Sequence, residues 1–227
     1  FQNKQYAEAI KEFQKILQIT PESDIVPRAT YSIGDAYYNL QQYGAAEKTY
    51  RDVLNRFPKS PSVADAVSGI QYCLLAQGKQ QEALRVIDLF LKENPDAGVA
   101  EALFLKKGDL LHSQQQYDGA IKEYRAFSEK YPGSPGVAAA YYWIGKCYLA
   151  QNRTLDGAQA FERAASVNNG SAKMISQSLL ELGEAYLSLK SYEKALEALT
   201  RLERSYPESE VMPDAMFLKG KALGQAG

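Results

Sequence analysis

The sequence predicts an all-α protein, a right-handed α-solenoid of antiparallel helix pairs, and three observations predict it. An anchor position, glycine in all but one case, recurs at Gly34, Gln71, Gly108, Gly145, Gly183 and Gly220, with successive spacings of 37, 37, 37, 38 and 37. Twelve residues beyond the anchor stands Ala46, Ala83, Ala120, Gly157 or Ala195, and four further on Tyr50, Ile87, Tyr124, Phe161 or Leu199. A closing position then falls at Pro21, Pro58, Pro95, Pro132, Asn169 and Pro207. A register held over this period means stacked repeats, each burying its apolar face against its neighbours.

The pattern also supplies a packing rule. Four residues before each anchor come Thr30, Val67, Phe104, Tyr141, Leu179 and Met216, and three after it Tyr37, Leu74, Leu111, Tyr148, Tyr186 and Leu223. That 4, 3 spacing draws one stripe along a helix, the buried face of the first helix of each pair. Glycine in a helix costs about 0.5 to 1 kcal/mol against alanine. Its return at one register marks a close helix crossing, with the large residue of the second helix filling the groove beside it.

Taken in order, the chain opens with a half repeat over 1–21, in which Tyr6, Ala9, Phe13, Ile16 and Pro21 fit a second helix without its first. Full pairs follow at about 27–58, 64–95, 101–132, 138–169 and 176–207. A lone first helix, 213–227, ends the array, so 1–227 reads as a single solenoid cut from a longer protein. Between pairs, Phe57-Pro58-Lys59-Ser60-Pro61 and Tyr131-Pro132-Gly133-Ser134-Pro135 place Ser60 and Ser134 to cap the next first helix, with proline in its first turn.

These positions together resemble the tetratricopeptide repeat over nearly the whole chain. The usual repeat is about three residues shorter. The surplus here lies after the proline, where it is expected to lengthen the first helix by nearly one turn.

Composition narrows function. A net charge of -1 and a pI near 6.0 give no pull toward nucleic acid. No stretch approaches the roughly 18 apolar residues of a membrane span. Cys73 and Cys147 lie two repeats apart, several helix diameters of about 8 to 10 Å each, beyond the roughly 7 Å a disulfide tolerates, and read as packing residues. His112 is the single histidine, so no metal cluster is offered. The glycines follow the repeat rather than a phosphate loop, and Glu181 with Glu184 reads as a solvated face. No catalytic residue, cofactor or metal is expected.

A solenoid of this kind offers a concave surface lined by its first helices. Helical geometry turns the positions one and four after the anchor, and three before it, toward that surface. They hold Tyr31, Asp35, Tyr38, Tyr72, Leu105, Asp109, His112, Tyr142, Lys146, Glu184, Phe217 and Lys221, with Trp143 bordering the groove. Aromatic groups among single charges suit a bound peptide or protein segment, and the same tyrosines also suit packing between adjacent first helices. The clamp by which cochaperone members of the family grip a C-terminal carboxylate is not matched, because its places hold Tyr31, Asp35, Gly69, Ala102 and Lys106.

The segments Tyr131-Pro-Gly-Ser-Pro-Gly-Val-Ala-Ala-Ala-Tyr-Tyr-Trp and Phe57-Pro-Lys-Ser-Pro-Ser-Val-Ala-Asp-Ala carry a finer resemblance. They resemble repeats of bacterial envelope families, the periplasmic Tol-Pal-associated coordinator and the outer-membrane lipoprotein of the β-barrel assembly machinery. That resemblance implies a non-catalytic adaptor of the periplasm or cell envelope, with a protein or peptide partner. The other reading is a regulatory or structural arm of a larger enzyme or sensor. Apolar residues at the half repeats, Phe13 and Ile16 or Met216 and Phe217, also allow self-association.

Overall fold

The computed structural model describes residues 2–94 and 99–225. Among them the chain forms twelve helices and no strand: α1 (Gln2–Ile19), α2 (Val26–Asn39), α3 (Tyr43–Arg56), α4 (Val63–Ala76), α5 (Gln80–Glu93), α6 (Ala100–Ser113), α7 (Tyr117–Lys130), α8 (Gly136–Ala150), α9 (Thr154–Ala165), α10 (Ala172–Ser188), α11 (Tyr192–Ser205) and α12 (Met212–Gln225). The predicted all-α class is the observed one, each pair being a first and a second helix joined by a short turn. The closing residue Pro95 lies outside the described residues.

The first helices α2, α4, α6, α8 and α10 stop for a local reason that repeats with the register. Gln41, Gly78, Gln115, Asn152 and Lys190 have φ of 60°, 74°, 59°, 60° and 57°, a left-handed step that ends the helix and turns the chain back. Just one of the five is glycine, the residue that takes this conformation without strain.

The loops differ from expectation. Ser60 Oγ accepts from the backbone N–H of Ser62, and Ser134 Oγ from that of Gly136, each two residues on. Both serines hold a turn ahead of the helix, and α4 and α8 begin later with no side-chain cap. Before α4 the surplus residues therefore make successive turns, Ser60 N–H to Phe57 O and Val63 N–H to Ser60 O, and α4 gains no turn; α10, at 17 residues against 14 for α2, α4 and α6, is the longer first helix. A true side-chain cap occurs at Ser171, which accepts from Met174 N–H at 3.2 Å.

The chain divides into two compact units, Phe1–Lys106 and Lys107–Gly227. In the first, α1 packs on α2 through Ile10, Ile33 and Ala36, with Tyr6, Phe13 and Tyr37 at the margin. The ring of Tyr50 on α3 is gripped from two sides. A Cβ added to Gly34 on α2 would meet it at 2.5 Å, and one added to Gly69 on α4 at 2.6 Å. Where the second helix offers Ile87 instead of a ring, the anchor is Gln71, buried, its amide donating to the Ala83 carbonyl at 3.1 Å.

In the second unit the same slot takes Phe161 against Gly145 and Leu199 against Gly183. Phe161, Leu179, Leu182, Leu199 and Leu202 form a continuous core. Two expected stripe residues are exposed, Met216 at 62% and Leu223 at 58%, and Tyr37, Phe104, Tyr141 and Tyr186 are half-buried. α12 packs on α10 and α11 through Ala215 and Ala222, but a Cβ on its anchor Gly220 would meet nothing within 4 Å.

Candidate functional site

In the first unit, Tyr31, Asp35 and Tyr38 lie along one face of α2, while Tyr72 projects from α4, 58% exposed. The Tyr50 hydroxyl donates to Asp35 Oδ1 at 2.6 Å, and the Tyr31 ring leans on that of Tyr50 with centroids 5.4 Å apart. Burial pushes the Asp35 carboxyl above the usual carboxylate range, against the opposing pull of the phenol donors Tyr50 and Tyr31. Tyr31 is itself raised, by burial first and then by Asp35. Tyr38 packs on Tyr43 at 5.3 Å. Leu105 is half-buried on α6, beside Lys106, whose ammonium donates to Ser68 Oγ at 2.7 Å.

In the second unit, His112 on α6 meets Tyr117 and Trp143 edge-on, at 5.6 and 5.1 Å between centroids, and Trp143 meets Tyr142 at 5.5 Å. Tyr142 and Lys146 on α8 both reach Glu181 on α10, the lysine at 2.8 Å. Burial alone would lower the Lys146 pKa, but the hydrogen bond and charge of Glu181 outweigh it and the net shift is upward. Glu184, Leu187 and Lys221 line a cavity of about 260 Å3 with Tyr192 and Leu218. Phe217 stands 73% exposed on α12.

Asp109 repeats the arrangement at Asp35, accepting from the Tyr124 hydroxyl at 2.6 Å. Both aspartates thus tie a first helix to its own second helix, a role the inward register alone does not reveal. The signal is present in the chain. Aspartate follows the anchor only where the second helix offers tyrosine, at Gly34-Asp35 with Tyr50 and Gly108-Asp109 with Tyr124; elsewhere Ile87, Phe161 and Leu199 pair with Tyr72, Lys146 and Glu184.

Activated nucleophiles need a lowered pKa or an adjacent base. Here the displaced tyrosines and cysteines all move the other way: burial lifts Tyr31, Tyr38, Tyr50, Tyr124, Tyr142 and Tyr186, and pushes the Cys73 and Cys147 thiols up to about 12. Both thiols are free and buried. Among the described residues no group of three or more potential ligands could hold a metal. No described helix is long and apolar enough to cross a membrane. The surface is thus one of contact groups: aromatic edges, an exposed tyrosine and phenylalanine, and charges on separate helices.

Family models of the tetratricopeptide repeat match residues 1–70, 105–173 and 177–209. Among curated relatives, "Tetratricopeptide repeat protein 1" of Schizosaccharomyces pombe is 24% identical over 173 residues, 72% of this chain and 16% of that protein. The "Ancillary SecYEG translocon subunit" of Neisseria gonorrhoeae is 30% identical over 121 residues, 53% of this chain and 56% of that protein. The chain therefore spans about half or less of the length of these relatives. Among solved structures, BtubC from P. vanneervenii has a similar fold, with a TM-score of 0.61 over 95% of this chain and 91% of that one, at 17% identity.

Proposed function

The chain belongs to the tetratricopeptide-repeat family, and from that premise we propose that it is a non-catalytic scaffold that holds a segment of a protein partner against its first helices. The observation that carries this reading is the exposure of large apolar side chains at the inward register, Tyr72 at 58% and Phe217 at 73%. Buried aromatic anchors supply much of the energy of protein interfaces. The second unit also carries, at or beside the same register, the half-buried edges of Tyr142, Trp143 and His112 and the separate charges of Lys146, Glu184 and Lys221.

A bacterial envelope setting accompanies this proposal. It is supported by the likeness to the neisserial protein, whose name ties that protein to a translocon, and by the Tyr/Phe-Pro-x-Ser loops. A second reading, an arm of a larger enzyme or sensor, is favoured by the 16% share of the S. pombe relative that the chain spans.

The test is quantitative binding of a purified partner to the parent and to Tyr72→Ala and Phe217→Ala. Both side chains are exposed, so both variants retain the parent's unfolding midpoint while each weakens binding about tenfold or more. Unchanged affinity in both would refute the groove. Lys146→Glu is a poorer probe, since it also sets two carboxylates together at Glu181.

A further inference from the structure

A second surface lies on a different face of α8 from Tyr142 and Lys146. Here Tyr141 and Tyr148 point toward the second helices α7 and α9, and three guanidinium groups converge on them. Arg125 Nη2 donates to the Tyr148 hydroxyl at 2.5 Å, Arg153 stacks over the Tyr148 ring at 4.4 Å, and Arg163 lies over the Tyr141 ring at 5.8 Å. Arg125 and Tyr148 form a shared wall between a cavity of about 570 Å3, which Lys122 and Arg153 also line, and a smaller one lined by Arg163.

The repeat register shows what is missing there. In the following pair Arg201 stands eighteen residues after its anchor, and it binds Glu162, seventeen residues after the preceding anchor, at 3.0 Å. Arg163 occupies the Arg201 register, and the Glu162 register one pair earlier is held by Arg125. A guanidinium thus stands where the next pair has a carboxylate. Arg125 also lacks the partner one turn back that its counterpart in α3 has. Its counterpart Arg51 binds Glu47 one turn back at 2.9 Å, whereas the corresponding residue beside Arg125 is Ile121.

Among the described residues neither Arg125 nor Arg163 pairs with a carboxylate. Of the acids at the rim, Asp156 is held by Arg153 at 2.8 Å and Asp118 accepts from the Gln151 amide at 2.9 Å; Glu129 stands at the end of α7. Guanidinium groups oriented on aromatic faces suit carboxylate recognition, because their planar fork matches it and little freedom is lost on binding.

We infer that this cleft between α7, α8 and α9 is a docking surface for an acidic protein segment, whose carboxylates bridge Arg125 and Arg163 as Glu162 serves Arg201 in the neighbouring pair. It is independent of the groove proposed above and shares no residue with it. The experiment measures fluorescence anisotropy of labelled octaglutamate with the whole chain at low salt, against octaglutamine. Saturable binding of the acidic peptide alone is expected, and Arg125→Glu, which places a carboxylate beside Arg163 in the chain itself, weakens it by about tenfold or more.

The exposed loop change Lys59→Glu alters net charge equally and leaves binding unchanged. Should Arg125→Glu fail to fold, Arg163→Gln provides the same readout with the Arg125 to Tyr148 bond intact. Inorganic phosphate displaces the peptide only at about hundredfold higher concentration, because it lacks the chain of linked charges. The inference is overturned by the absence of saturable binding, by equal losses in Arg125→Glu and Lys59→Glu, by undiminished binding in the folded arginine variant, or by phosphate competing as well as the peptide.

Discussion

Tyr50 makes two demands on its neighbours, space for a ring and an acceptor for a hydroxyl. Gly34 and Gly69 meet the first and Asp35 the second. Removing the acceptor strands a buried donor, so Asp35→Ala is expected to cost about 1 to 3 kcal/mol, measured by urea unfolding at pH 7. Asp35→Asn keeps an oxygen and removes a charge that burial disfavours, and is expected to be no less stable than the parent at that pH. An Asn variant as damaged as the Ala variant would contradict this account. The sign of the pH dependence follows from the raised carboxyl pKa. Its protonated form is favoured by the fold, so its contribution is full below the ordinary value of 3.8 and is lost as pH rises through the folded value. The stability difference between parent and Asn variant therefore shifts toward the parent on acidification.

Along a helix, the anchor and the left-handed step make opposite predictions for glycine. Gly34→Ala drives a methyl group into the Tyr50 ring and is expected to cost about 1 to 3 kcal/mol. Gly220→Ala meets nothing within 4 Å and is expected to gain about 0.5 to 1 kcal/mol from helix preference. At the turn after α6, Gln115 holds φ of 59°, and Gln115→Gly relieves a left-handed strain of about 1 kcal/mol. Thermal unfolding of the three variants checks all of this, and equal shifts at Gly34 and Gly220 would refute the packing origin of the anchor. The helical pairs were legible because small and large residues alternate at a constant interval. The turns were not, since a Ser-Pro pair serves equally to cap a helix or to hold the turn before it, and hydrogen-bond geometry separates the two.

For the molecule as a whole, Met216, Phe217 and Leu223 lie exposed on α12, and we propose that they support weak self-association. Light scattering is expected to show apparent mass rising with concentration, and Phe217→Asp to suppress the rise; a parent that stays monomeric at every concentration removes the proposal. The amino-acid sequence by itself determined the all-α class, the family and the pairing of first with second helices, because each depends on periodic placement of side-chain volume. It also placed both cysteines in the core, where burial holds their thiols up to about 12. Only the tertiary structure decided which inward-register residues are tied down. Asp35 and Asp109 bond to phenols on the second helix, Lys146 to Glu181, and Tyr72 and Phe217 are left exposed. It alone decided, too, that Arg125 and Arg163 line one cavity, where the next pair joins Arg201 to an acid. The physical reason is that register along one helix sets the direction of a side chain, whereas its partner comes from a different helix, often a whole repeat away.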